Sequence, residues 1–139
     1  MKNIKFSRLF AAMMFVAVLS FAGCKQQPEE TKASIYGTWM SQHDDGYKIT
    51  DTTIEYIDNV WGFGWEAELV EVADPYIYYK VSGKYSAVAY KELSKDSCKF
   101  ATAYKADGKS PVDTLEEAKT EFTIGNKYFE VYGTYGRVE

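Results

Sequence analysis

Tyr76-Ile77-Tyr78-Tyr79-Lys80-Val81, then Ser82-Gly83-Lys84, then Tyr85-Ser86-Ala87-Val88-Ala89-Tyr90 is the stretch that decides the fold class. The first run is dense in aromatic and β-branched side chains, which suit a pleated, half-buried surface better than a helix. The second sets Tyr85, Ala87 and Ala89 against Val88 and Tyr90, a period of two. Two such runs joined by a short polar turn read as an antiparallel hairpin.

The pattern continues in both directions. Residues 65–72 alternate Trp65, Ala67 and Leu69 with Glu66 and Glu68, and Asp74-Pro75 turns the chain into Tyr76. Residues 98–105 place Cys98, Phe100, Thr102 and Tyr104 on one face. Upstream, residues 35–41 put Ile35, Gly37 and Trp39 on one face and Tyr36, Thr38 and Met40 on the other. His43-Asp44-Asp45-Gly46 reads as a turn in which Asp-Gly supplies the positive φ. Residues 47–50 and 53–58 follow as short strands, and residues 59–64 form a bend with two glycines.

One segment breaks the pattern. Asp113 and Glu116 form a capping-box-like pair, and Leu115, Ala118 and Phe122 fall at helical spacing. This predicts a helix of about two turns covering a barrel end or side. Beyond it, residues 121–124, Gly125-Asn126 and residues 127–135 read as a final hairpin. About eight strands in the 106 residues from Ser34 to Glu139 is the spacing of a sandwich or barrel. Closing the sheet removes exposed edges. Tyr36-Gly37-Thr38-Trp39 is echoed by Tyr132-Gly133-Thr134-Tyr135, as suits first and last strands that pair. The expected fold is therefore all-β: a small antiparallel up-and-down barrel of about eight strands, with one short helix before the final hairpin.

Composition agrees with one folded domain. The chain has 139 residues, of which 46% are hydrophobic and 26% charged, which excludes disorder throughout. Residues 1–23 read as an export signal: Lys2, Lys5 and Arg8 precede an apolar run of 14 residues, 9–22, too short for a comfortable membrane span. Removing them leaves 13 basic and 20 acidic residues, a net charge near −7. So acidic a domain argues against nucleic acid as a partner. Residues 24–33 contain Pro28 and no large apolar side chain, and read as a solvated tether.

Phe21-Ala22-Gly23-Cys24 resembles the lipobox of bacterial lipoproteins, with Phe21 where that family most often has Leu. The resemblance implies a diacylglyceryl group on the Cys24 sulfur, cleavage before Cys24, and an acyl group on the new amine. Two or three acyl chains give stable attachment where one does not. It also implies a bacterial envelope location. Lys25, rather than Asp, after the cysteine points toward the outer membrane, on its periplasmic or surface face. No other cofactor is expected.

Gly37-Thr38-Trp39 resembles the first strand of the calycins, the group of lipocalins and avidins. Lipocalins open with Gly-x-Trp and carry a late Arg that packs across the Trp to close the barrel base. Arg137 is the only Arg after the signal, and the resemblance implies that role for it, with Gly37 and Trp39. The Thr-Asp-Tyr motif of lipocalins is absent from the middle of the chain, and the domain is shorter than most lipocalins.

Side chains able to carry function are few. Trp61, Phe63 and Trp65 flank the glycine-bearing bend, and with Trp39 and Tyr56 they are the expected ligand-binding set. The same residues can equally plug the barrel. Tyr56, Tyr76, Tyr78, Tyr79 and Tyr90 combine an apolar body with a polar tip and suit core, rim or partner surface. His43-Asp44-Asp45 has one His and no second cluster, so a solvated turn is expected rather than a metal site. Asp107, Asp113, Glu116 and Glu117 read as helix-start chemistry, without the calcium-loop pattern. Cys98 reads as a buried thiol. Nothing marks a nucleophile or a carboxylate pair, so no catalytic residue is expected. Two functions follow as expectations. One is a lipid-anchored barrel that binds a small apolar or aromatic ligand. The other is a structural or interaction lipoprotein with a filled core, whose Tyr-rich face meets an envelope or host protein.

Overall fold

The computed structural model describes residues 32–107 and 111–139. The signal segment and Cys24 lie outside the described residues, as does nearly all of the tether. Ala33–Glu139 forms one compact unit. Its strands are β1 (Gly37–Met40), β2 (Asp45–Ile49), β3 (Thr53–Asp58), β4 (Phe63–Ala73), β5 (Tyr76–Val81), β6 (Lys84–Lys91), β7 (Ser97–Thr102) and β8 (Gly133–Val138), with one helix, α1 (Leu115–Glu121), before β8.

Each strand pairs antiparallel with the next, and β8 returns to β1, so the sheet closes into an eight-stranded up-and-down barrel. The deciding hairpin has a two-residue loop. Val81 pairs with Lys84, and Ser82 and Gly83 have φ of 52° and 80°, the left-handed pair that matches the twist of the flanking strands. A bulge between Leu69 and Glu71 shifts the inward phase of β4, so that Leu69 and Val72 both join the interior.

The interior cluster is built from alternate residues, among them Trp39, Tyr47, Ile54, Ile77, Val88, Phe100 and Tyr135. A second cluster lies on the outer wall of β5, β6 and β7. There Ala87, Ala89, Ala101 and Ala103 are small enough for α1 and the residues around it to approach closely, and Ala118 of α1 and Phe122, which caps its end, are fully buried against them. The helix thus covers a side of the barrel, not an end. Among the described residues both clusters fall within residues 35–135, so the unit contains a core of its own.

Three local expectations are corrected. The positive φ of the first turn belongs to Asp44 (63°), and Gly46 lies inside β2. Glycine is needed there for space: a Cβ would run into the Trp39 carbonyl oxygen and the Met40 sulfur across the ladder. The cap of α1 is Thr114, whose hydroxyl accepts from the Glu117 N–H at 3.1 Å, while Asp113 pairs with Lys84 at 2.7 Å. The final hairpin does not form. Ile124–Asn126 is a short 3-10 turn, because the Asn126 amide donates to the carbonyls of Thr120 and Glu121 and closes the helix end. The last strand begins at Gly133 and finds its partners in β1 and β7.

Candidate functional site

The barrel has two unlike ends. At the base lie the entry of the chain at Ile35, the β6–β7 loop and the end of β8. Trp39 is 0% exposed there, and its indole N–H donates to the Ile35 carbonyl at 2.8 Å. Arg137 lies over the Trp39 ring, with Cζ 4.1 Å from the centroid. Its guanidinium donates to the carbonyls of Ser34 (2.5 Å), Tyr36 (2.8 Å) and Lys95 (2.8 Å), tying the first and last strands of the unit and a loop together. Gly37, with φ of 138°, is where a side chain would collide with that guanidinium. Gly37, Trp39 and Arg137 therefore form a base latch. Trp39, expected also among the ligand contacts, is sealed in this base.

From the latch an inward row climbs the wall. Arg137 pairs with Trp39, Trp39 with Tyr47, Tyr47 with Tyr56, and Tyr56 with Trp65. Barrel strands tilt against the axis, so a row of directly opposed residues rises as it goes round. Exposure follows the climb: Trp39 and Tyr47 are buried, whereas Tyr56 and Trp65 are only partly so. Trp65 stacks on Tyr79 at 4.8 Å and on Tyr56 at 6.1 Å. Below them Tyr47, Phe100 and Tyr135 pack mutually with centroids 5.0–5.5 Å apart.

The other end is a polar, open mouth. The Tyr47 hydroxyl meets Thr102 Oγ1 at 2.6 Å. Asp45 accepts from the hydroxyls of Tyr56 (3.1 Å) and Tyr135 (3.4 Å) through Oδ2, and from Ser41 through Oδ1. Burial, followed by the nearby Asp45 charge and its hydrogen bond, pushes the Tyr56 phenol up to about 12. Burial first, then Asp45, also raises Tyr135. Burial raises Tyr79, with a hydrogen bond to Ser86 opposing it. These phenols remain donors at neutral pH.

Three clefts open at this end. One of about 320 Å³ is lined by His43, Asp45, Tyr56, Asp58, Val60 and Trp61. A second of about 530 Å³ runs between the β1–β2 turn and the start of β8, past Asp45, Val131 and Tyr135. A third of about 300 Å³ lies beside Tyr79, Ser86, Tyr104 and Lys105. Trp61 (76% exposed) and Phe63 (73%) stand on the β3–β4 hairpin at the rim. Asp58 holds that hairpin by accepting from the N–H groups of Val60 and Trp61.

Of the expected ligand set, Tyr56, Trp61, Phe63 and Trp65 thus gather at the mouth, and Trp39 does not. Asp45 was read only as a turn residue. It lies in β2 in phase with Tyr47 and Ile49, and that period-two placement of a carboxylate on the core face was visible in the sequence. Cys98 is 1% exposed, its thiol raised to about 11 by burial. Among the described residues no group of three or more His, Cys, Asp or Glu gathers as a metal cluster. No family description, curated protein or solved structure matches the chain.

Proposed function

We propose that this is a lipid-anchored, calycin-like barrel of a bacterial envelope, held by acyl groups on Cys24, that takes a small apolar or aromatic ligand at its open end. The observation that carries the reading is the contrast between the ends. The base is latched by Arg137 on Trp39, while at the mouth Tyr56 and Trp65 are partly uncovered, Trp65 stacks on buried Tyr79, and Tyr56 and Tyr79 line clefts of about 320 and 300 Å³. Pockets of this size with aromatic walls and a few converging polar groups suit small molecules. The protein has no catalytic role in this reading: the mouth offers stacking faces and hydroxyl donors, and no activated nucleophile.

The test is native mass spectrometry of the unlipidated unit after expression in rich medium. A co-purifying small molecule, lost on Trp65→Ala, supports the reading; a clean apo mass and no thermal shift across ligand panels would sink it. The anchor has its own test, incorporation of labelled palmitate into the full chain, abolished by Cys24→Ser.

The exposed hairpin favours a second reading. Val60, Trp61 and Phe63 present contiguous apolar surface, which suits contact with another envelope or host protein. In that case Trp61→Ala abolishes partner capture, and no small molecule travels with the barrel.

A further inference from the structure

We propose that the mouth is a receptor for an organic cation, a protonated amine on a small aromatic or aliphatic body, with Asp45 as the counter-charge. This rests on the reading that a small ligand enters here, and adds that ligand's charge.

Asp45 borders both the 320 Å³ and the 530 Å³ clefts. The hydroxyls of Ser41, Tyr56 and Tyr135 donate to it. Three neutral donors fix the carboxylate's position and leave its charge whole. Among the described residues the ion pairs are Lys84–Asp113, Lys99–Glu92, Lys105–Glu121 and Lys119–Glu71, and none includes Asp45. Asp58 borders one of the same clefts, Asp44 sits on the adjoining turn, and neither cleft is lined by Lys or Arg. Lys105 lines the third cleft and is tied to Glu121 at 3.0 Å. His43 borders both clefts as well, so among the described residues their lining carries carboxylates, one imidazole and no lysine or arginine.

The walls decide what kind of cation fits. Tyr56, Tyr135 and Trp61 line these clefts, and aromatic rings attract an ammonium through their quadrupole. Hydroxyls that donate to a carboxylate make those rings richer in electrons. A hard metal ion needs a shell of oxygen ligands; among the described residues no group of three or more His, Cys, Asp or Glu gathers here, while Val60, Trp61 and Val131 add apolar surface for an organic body. An anion would face Asp45 and Asp58 with no lysine or arginine beside them.

The test uses three probes of one shape and different charge: phenethylamine, 2-phenylethanol and phenylacetate. Each is titrated calorimetrically into the Ala33–Glu139 unit, which contains its own core. Phenethylamine is expected to bind, the alcohol about tenfold or more weakly, and the acid without measurable heat. Asp45→Asn, which retains an acceptor for the tyrosines, is expected to cost phenethylamine at least about tenfold. Trp61→Ala removes an exposed side chain, so it is expected to weaken the amine while leaving Tm unchanged. Equal or tighter binding of the alcohol or acid, or unchanged affinity in Asp45→Asn, overturns the cation assignment and leaves the ligand-binding barrel standing. Silence from all three probes also overturns it, and the co-purification experiment then decides the parent reading separately.

Discussion

Arg137 does three things with one side chain: it covers the Trp39 ring, holds the carbonyls of Ser34 and Tyr36 near the start of the unit, and holds Lys95 in the β6–β7 loop. Its planar fork is suited to several acceptors at once, and a lysine ammonium is not. Arg137→Ala should therefore cost about 2 kcal/mol in urea unfolding, discounted for partial exposure, and Arg137→Lys should recover less than half of that. Gly46 makes the opposite point, since what matters is the absence of an atom. Gly46→Ala pushes a methyl group into the β1 backbone and should cost about 1–3 kcal/mol. At Gly125 a Cβ meets only Thr123 Oγ1, at an ordinary contact distance of 3.9 Å, and φ is not left-handed, so Gly125→Ala should be neutral or slightly stabilising in the same assay. The sequence places a glycine at each position, and only the neighbours reveal which one is under constraint.

At the scale of elements, α1 is too short at seven residues to be stable alone. Its helical spacing was legible in Leu115, Ala118 and Phe122, and its place on the wall depends on the alanines beneath it. Two variants separate these contributions. Thr114→Ala removes the cap hydroxyl and should cost about 1 kcal/mol. Phe122→Ala empties a fully buried site and should cost about 3–5 kcal/mol, with faster hydrogen exchange in α1 than in the barrel strands. The expected final hairpin failed for a related reason. Gly-Asn is turn chemistry in either setting, and here the carbonyls left free at the end of α1 accept from the Asn126 amide.

For the molecule as a whole, the concentration of tyrosine inside the barrel makes folding sensitive to alkali. Burial, the leading cause in each case, raises Tyr47 and Tyr135 and lifts Tyr56 and Tyr90 to about 12. The unfolded chain loses these protons near pH 10, while the native barrel keeps them. Above that point the native state binds more protons, so stability falls as pH rises. Stability should be flat with respect to these groups below about pH 9, then decline from about pH 10 through 12. Absorbance at 295 nm should show part of the tyrosines ionising only as the near-ultraviolet circular dichroism is lost. A native titration in which every tyrosine ionises near pH 10 would mean the interior is wet.

Period-two alternation, turn residues and strand spacing were local signals, so the sequence by itself determined the antiparallel strands and the short helix; the echo of residues 36–39 in 132–135 suited pairing of the end strands, and Arg137 against Trp39 was implied by the resemblance to lipocalins. It also grouped Tyr56, Trp61, Phe63 and Trp65 as neighbours. The tertiary structure alone decided which end is latched and which is open, because that depends on strand tilt and on how a row of paired residues climbs from Trp39 to Trp65. The same holds for Asp45: its charge is written in the chain, but its place among the hydroxyls of Ser41, Tyr56 and Tyr135, in no ion pair among the described residues, comes from what folds around it.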